Sequence, residues 1–83
     1  MKKEPPGFEL FASNLEQQFQ KPIPGGLTAG TRFRDLEEWT SLQALIVISS
    51  FDWDYGITIS AEELRKAMTI DDLYALVTQK IQG

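Results

Sequence analysis

The sequence predicts an all-α protein: a four-helix bundle with a long loop between helices one and two and a short third helix. Three observations support this fold class. Apolar residues recur at helical spacing near both ends of the chain, an apolar run lies in the middle, and each of the three later helices opens with a capping residue. With 83 residues the chain can form one compact domain, and we expect residues 1–83 to be that single domain.

The composition excludes several classes of function. Twelve acidic and eight basic residues give a net charge of −4, which predicts no binding to nucleic acid and favours partners with basic surfaces. Cysteine and histidine are absent, so we expect neither an enzyme nor a metal site. The N-terminus has no apolar stretch, which predicts a cytoplasmic protein without a secretory signal or membrane anchor. A small acidic domain without an obvious exposed apolar stripe is expected to be a monomer.

The first helix is predicted over residues 7–19 from apolar residues that share one helical stripe. These residues are Phe8, Phe11, Ala12, Leu15 and Phe19. The prolines ahead of the stripe, Pro5 and Pro6, suit the region just ahead of this helix or its first turn, where no amide hydrogen is needed.

Prolines and glycines between residues 22 and 30 break the periodicity and predict an irregular connection that continues to Trp39. A loop of this length is uncommon in a small domain and is often functional. We expect its scattered apolar residues to pin it onto the helices: Ile23, Leu27, Phe33, Leu36 and Trp39.

The second helix is predicted from a capping box, with Thr40 as N-cap, Ser41 as the first helical residue and Gln43 reaching back to the cap. The apolar run that follows could, by composition alone, be a buried strand. The cap and the continuation of the pattern to Phe51 favour a helix, and a helix apolar on every side suits the centre of a bundle. Gly56 is expected to end it.

The third and fourth helices also carry start signals. Ser60 and Glu63 form a second capping box, which predicts a short helix ending at Ala67 or Met68. Thr69 is expected to cap the last helix, whose first turn holds two aspartates where the helix dipole favours negative charge. Its apolar stripe is formed by Ile70, Leu73, Tyr74, Val77 and Ile81.

Three motifs follow one another between residues 33 and 77. They are Phe33-Arg34-Asp35-Leu36-Glu37-Glu38-Trp39 leading into Thr40-Ser41-Leu42, then Phe51-Asp52-Trp53-Asp54-Tyr55-Gly56-Ile57-Thr58-Ile59, then Thr69-Ile70-Asp71-Asp72-Leu73. In this order they resemble the acyl carrier and peptidyl carrier protein family, whose hallmark is an Asp-Ser-Leu motif opening the second helix. Here threonine replaces that aspartate, and it can replace the cap but not the charge.

The resemblance implies that Ser41, flanked by Thr40 and Leu42, carries a covalent phosphopantetheine arm. A phosphopantetheinyl transferase would attach the arm from coenzyme A and so make the chain a phosphoprotein. The arm's thiol would then hold acyl or aminoacyl groups as thioesters. The implied partners are acyl-transferring, ligating or condensing enzymes of fatty acid, polyketide or related biosynthesis that have basic docking patches. Leu45, Ile46, Ile48, Phe51 and Ile59 could line a crevice for apolar cargo, although each is more simply a core residue.

Candidate partner-binding residues are one tryptophan and the acidic residues before the second helix, near its end and on the third helix: Glu37, Glu38, Asp52, Trp53, Glu62 and Glu63. Each acidic pair can equally be a solvated face or a helix-start charge. An outward-facing Trp53 would be a candidate hot spot for a partner, whereas an inward-facing one would close the end of the bundle.

Two other interpretations compete with that of a modified carrier. Residues 52–63 have some of the acidic spacing of a calcium loop, but the sixth position, where such loops need glycine, is Ile57. The alternative function is an unmodified, carrier-like helical module that acts only in protein–protein interaction.

Overall fold

The computed structural model describes residues 6–20 and 23–82, which form four α-helices and no β-strand. The helices are α1 (Phe8–Glu16), α2 (Ser41–Tyr55), α3 (Ala61–Lys66) and α4 (Ile70–Gln82). A short 3-10 turn (Phe33–Asp35) lies in the long connection between α1 and α2. The predicted all-α architecture is therefore confirmed, including its long loop and short third helix. Pro5, predicted to lie near the start of helix one, is outside the described residues.

An aromatic cluster around Phe11 joins α1 to α2 and α4. The Phe11 ring is fully buried, and its centroid lies 5.8 Å from that of Phe51 on α2 and 5.3 Å from that of Tyr74 on α4. Other fully buried side chains complete the core: Phe33, Val47, Ile59, Ile70, Leu73 and Val77. Removing this apolar surface from water is the main favourable contribution to folding.

The first helix ends at Glu16, so the predicted extension to Phe19 is wrong. The amides of Gln18 and Phe19 donate to carbonyl oxygens three residues earlier, which tightens the chain into a turn. That turn still buries Phe19. The apolar stripe thus predicted which side chain is buried, but not the backbone conformation that buries it.

The predicted ends of α2 are confirmed, but one half of its capping box is wrong. Thr40 Oγ1 accepts the amide hydrogen of Gln43 at 3.1 Å, and Gly56 ends the helix in a left-handed conformation with φ 68°. The Gln43 side chain does not return to the cap. Its Nε2 donates instead to the carbonyl oxygen of Gln18 at 3.0 Å, because Gln43 is buried beside the turn that follows α1.

The expectation that α2 is enclosed on every side is also wrong. Its buried residues are Gln43, Val47 and Phe51, which share one helical face. Leu42 and Leu45 lie outside that face and are 66% and 60% exposed. The small bundle therefore covers only part of its central helix.

The apolar residues of the long loop pin it to the bundle, as predicted. Leu27 and Phe33 are buried, and Ile23, Leu36 and Trp39 pack against the core. Backbone hydrogen bonds add a second anchor, since the Ile70 amide at the start of α4 donates to the Thr31 carbonyl at 3.0 Å. These contacts hold in place the segment that leads into α2.

Both later caps are present. The Ser60 hydroxyl accepts the Glu63 amide, while a Glu63 carboxylate oxygen accepts the Ser60 amide, each at 3.1 Å. At the start of α4, Thr69 Oγ1 accepts the Asp72 amide at 3.2 Å. The third helix ends at Lys66, just short of the predicted end, because Ala67 adopts an extended conformation. None of the helices in the described part of the chain has the length and apolarity needed to cross a membrane.

Candidate functional site

Ser41 is an exposed residue that occupies the first position of α2. The preceding Thr40 has an extended backbone, with φ −133° and ψ 173°. It accepts two hydrogen bonds from amides at the start of the helix. Its hydroxyl accepts the Gln43 amide, and its carbonyl accepts the Ala44 amide at 2.9 Å. This turn presents the Ser41 hydroxyl at a defined place on the surface.

The start of α2 is electrostatically suited to an anionic group on Ser41. Amides in the first turn of a helix have no intrahelical carbonyl to bond, and they form the positive end of the helix dipole. The Gln43 amide already donates to Thr40, so the amides of Ser41 and Leu42 are the ones left to bind an anionic group. No acidic residue lies in this first turn to offset the positive end.

Ser41 lines an open groove of about 720 Å³ between α2 and α3. On α2 the lining residues follow the spacing of a single helical face, and α3 and the preceding loop supply the rest. The lining residues are Arg34, Trp39, Thr40, Ser41, Ala44, Leu45, Ile48, Ala61, Leu64 and Arg65. The walls of the groove are mainly apolar, and Ser41 is among the polar residues that line it.

The crevice predicted from the sequence is only partly this groove. Leu45 and Ile48 line it, but Phe51 and Ile59 are 2% and 1% exposed and belong to the core. Ile46 lines a different depression. The prediction placed all five on one surface because periodicity identifies apolar positions without separating groove from core.

Sequence reasoning missed several groove residues. Ala44 follows Ser41 by three positions and could have been found from helical spacing. Arg34 and Arg65 come from the loop and from α3, and no local pattern indicates that they share a surface with Ser41.

A second depression of about 430 Å³ lies on the outer side of α2. It is lined by Gln18, Leu45, Ile46, Ser49, Ser50, Trp53 and Asp54. Trp53 is 90% exposed, which decides between the two predicted orientations in favour of the outward one. The premise of the monomer prediction, that no apolar stripe is exposed, is therefore wrong, because Leu42, Leu45 and Trp53 all lie open on α2.

The residues predicted to bind partners lie on three segments. Glu37 and Glu38 precede α2, Asp52 and Trp53 are near its end, and Glu62 and Glu63 lie on α3. Of these, Glu37, Asp52, Trp53 and Glu62 are exposed, and Glu38 is half-buried.

Glu63 is engaged within the fold. Its Oε2 lies 2.8 Å from Lys80 Nζ. The hydrogen bond from Lys80, followed by that from the Ser60 amide, lowers the pKa of Glu63. Glu63 is thus occupied by two contacts within the fold, one with the Ser60 amide and one with Lys80 on α4.

No group of three or more acidic side chains within residues 6–20 and 23–82 is arranged to hold a metal ion. Asp52 and Asp54 lie within α2 and Glu63 lies in α3, so they do not share a calcium-binding loop.

These features define a class: a carrier-like four-helix bundle with an exposed serine at the start of its second helix and a groove beside that serine. The solution NMR structure of the holo acyl carrier protein from Geobacter metallireducens is similar to this chain, with a TM-score of 0.75 and 28% sequence identity over 89% of this chain and 84% of that chain. No family model matches the chain, and no curated protein sequence does either. The resemblance predicted from the three motifs is confirmed, and the chain is acyl-carrier-like in fold.

Proposed function

We propose that this chain is a carrier protein that bears acyl or aminoacyl groups on a phosphopantetheine arm attached to Ser41. The observation that carries the proposal is the placement of Ser41, which is exposed on the first turn of α2 and opens onto a groove. The structurally similar protein is a carrier and not an enzyme, and its structure is that of a holo form. We assign no catalytic role to any residue of the chain.

The residues around Ser41 fit the proposed arm. An exposed hydroxyl can be reached by a transferase, and the free amides at the start of α2 stabilise the negative charge of a phosphodiester. When attached, the arm supplies a terminal thiol for thioester formation, a group that this cysteine-free chain lacks. Thr40 keeps the first turn closed and so keeps Ser41 in the lining of the groove.

The groove gives the cargo a partly sheltered position between visits to partner enzymes. Ala44, Ile48 and Leu64 provide apolar wall, so an alkyl segment placed there loses contact with water. Because the groove is open to solvent, the cargo can leave it without unfolding of the bundle.

Partner enzymes of fatty acid, polyketide or related biosynthesis would dock on the outer face of α2. Trp53 and Leu42 offer large exposed apolar side chains, and Asp52 and Asp54 add negative charge beside them. Tryptophan is enriched at binding hot spots, and the acids would attract basic docking patches. The transferase would be the first of these partners. We place the carrier in the cytoplasm.

A second candidate function is an unmodified helical module that acts only by binding other proteins. The observation that favours it is Thr40, which stands where the resembled family has an aspartate. The exposed apolar face of α2 would then be the whole functional surface.

Intact-protein mass spectrometry after incubation with coenzyme A and a broad-specificity phosphopantetheinyl transferase separates the two functions. We expect one added phosphopantetheine on the wild type and none on Ser41→Ala. Ser49→Ala is the matched control, since Ser49 is also an exposed serine of α2, and it should be modified like the wild type. Absence of the adduct on the wild type with several transferases would refute the carrier function and favour the interaction module.

A further inference from the structure

We propose that Arg34 and Arg65 form an oxyanion-binding site in the groove beside Ser41, which holds a carboxylate or phosphate carried by the arm. This inference rests on the proposed carrier function and specifies the chemical class of the group that the groove binds. The phosphate of the arm and an anionic cargo are the two candidate sources of that group.

The groove has a charge opposite to that of the whole chain. Its lining residues include Arg34 and Arg65 but no acidic side chain, although the chain as a whole has a net charge of −4. The remaining lining residues are apolar or uncharged. An anion on the arm therefore meets two positive groups there and no negative one.

Arg34 is already held in position. Its Nη2 donates to the carbonyl oxygens of Ala67 at 2.7 Å and Leu64 at 3.4 Å, both at the end of α3. The guanidinium carbon also lies 5.8 Å from the centroid of the Phe33 ring. Its Nε and Nη1 hydrogens have no partner in the described part of the chain, so a fixed guanidinium keeps donors for a ligand.

Arg65 supplies the second positive group from α3. It is exposed and lines the groove, and its side chain makes no ion pair or hydrogen bond with residues 6–20 and 23–82. The neighbouring Lys66 lies outside the groove lining. One side of α3 thus places a guanidinium at the groove, and the adjacent lysine provides a matched control.

The chemistry of the two side chains favours an oxyanion. A guanidinium binds carboxylate or phosphate through parallel hydrogen bonds, which are stronger than bonds between neutral groups. Apolar walls such as Ile48 and Leu64 limit the water that competes for those bonds. A purely hydrocarbon cargo gains nothing from either arginine.

A test that needs no transferase starts from Ser41→Cys. The natural chain has no cysteine, so this thiol is the only one and can be alkylated with iodoacetamide-linked arms of equal length. One arm ends in a neutral amide, one ends in a carboxylate, and one has a phosphate near the attachment point and a neutral end. The fraction of each arm docked in the groove is measured by NMR from the Ile48 and Leu64 methyl groups and the arginine Nε–H groups.

We expect at least one anionic arm to dock about tenfold more favourably than the neutral arm, as charge-assisted hydrogen bonds predict. Arg65→Gln should remove most of that preference, whereas Lys66→Gln should leave it intact. A preference for the carboxylate arm identifies the cargo as the source of the anion, and a preference for the phosphate arm identifies the prosthetic group.

Equal docking of all three arms, or an anion preference that survives Arg65→Gln, would overturn the proposal. Arg34→Gln is a secondary variant, since Arg34 also bonds the end of α3. Because alkylation bypasses the transferase, failure of enzymic modification at Ser41 refutes the carrier function without affecting this measurement.

Discussion

Replacing Thr40 tests how the turn that presents Ser41 is stabilised. Thr40 Oγ1 accepts the amide hydrogen of Gln43 at 3.1 Å, and Gln43 is only 6% exposed. Thr40→Val keeps the shape of the side chain but removes the acceptor, so this partly buried amide loses its partner. We expect the free energy of unfolding to fall by about 1 kcal/mol, the usual cost of losing an N-cap. In a domain of this size that corresponds to a fall in Tm of about 4–8 °C.

Thr40→Asp should act in the opposite direction. The carboxylate can accept the same amide hydrogen, and it adds negative charge at the positive end of α2, where no acidic residue lies in the first turn. We expect a gain of about 0.3–1 kcal/mol at neutral pH, which should disappear when the solution is acidified enough to protonate the new carboxyl group. If the transferase recognises the acid of the resembled family, the same variant should also be modified faster.

The assay is urea denaturation followed by circular dichroism, with the denaturant dependence of the unfolding free energy checked for constancy. Thr58→Val is the control, because Thr58 is exposed and lies in the connection between α2 and α3. A Thr40→Val variant as stable as this control would show that the Gln43 amide does not depend on the cap. A destabilising Thr40→Asp would show that the start of α2 is not effectively positive.

Three further perturbations have defined outcomes. Gly56→Ala should cost about 1 kcal/mol in denaturation experiments, because Gly56 has φ 68° and a Cβ is disfavoured there, while Gly30→Ala should not show this loss. Hydrogen bonds from the Met68 and Thr69 amides lower the pKa of Asp72 below its ordinary value. Its contribution to stability is therefore present above that ordinary pKa and lost as the pH falls through the lowered one. Asp72→Asn should accordingly flatten the acid limb of a Tm–pH profile. Trp53→Ala should change the unfolding free energy by less than about 0.5 kcal/mol, since the side chain is 90% exposed, yet raise the transferase KM about tenfold if Trp53 is a docking hot spot.

The sequence predicted most accurately the structural features that depend on contacts between residues close together in the chain. The caps at Thr40, Ser60 and Thr69 each involve an amide three residues later, and Gly56 ends α2 through its own backbone conformation. Such features depend on residues within about one helical turn, so a short segment of sequence is enough to predict them.

Long-range contacts explain the errors. A local rule assigned the Gln43 side chain to its own cap, but the Gln18 carbonyl, 25 positions earlier in the chain, accepts its hydrogen bond. The same limit applies to the groove, where Arg34 and Arg65 meet Ser41 only because the loop and α3 pack beside α2. In both cases the partner is selected by tertiary packing, which residue spacing does not encode.

The exposed apolar residues of α2 follow from the size of the domain and the three faces of the helix. Residues 43, 47 and 51 face the core, while Ser41, Ala44 and Ile48 line the groove. The remaining face of α2, which includes Leu42 and Trp53, is not covered by another helix in the described part of this small bundle. Under the proposed carrier function, one helix would hold the cargo on one face and meet a partner enzyme on another.

This division determines which substitutions can separate the two roles. Leu45 lines both the groove and the outer depression, so a change at Leu45 would alter cargo shelter and partner docking together. Ile48 lines only the groove and Trp53 only the outer depression. If the faces act independently, the free-energy losses caused by Ile48→Ala and by Trp53→Ala should add in the double variant. Each substitution removes contacts that the other leaves in place.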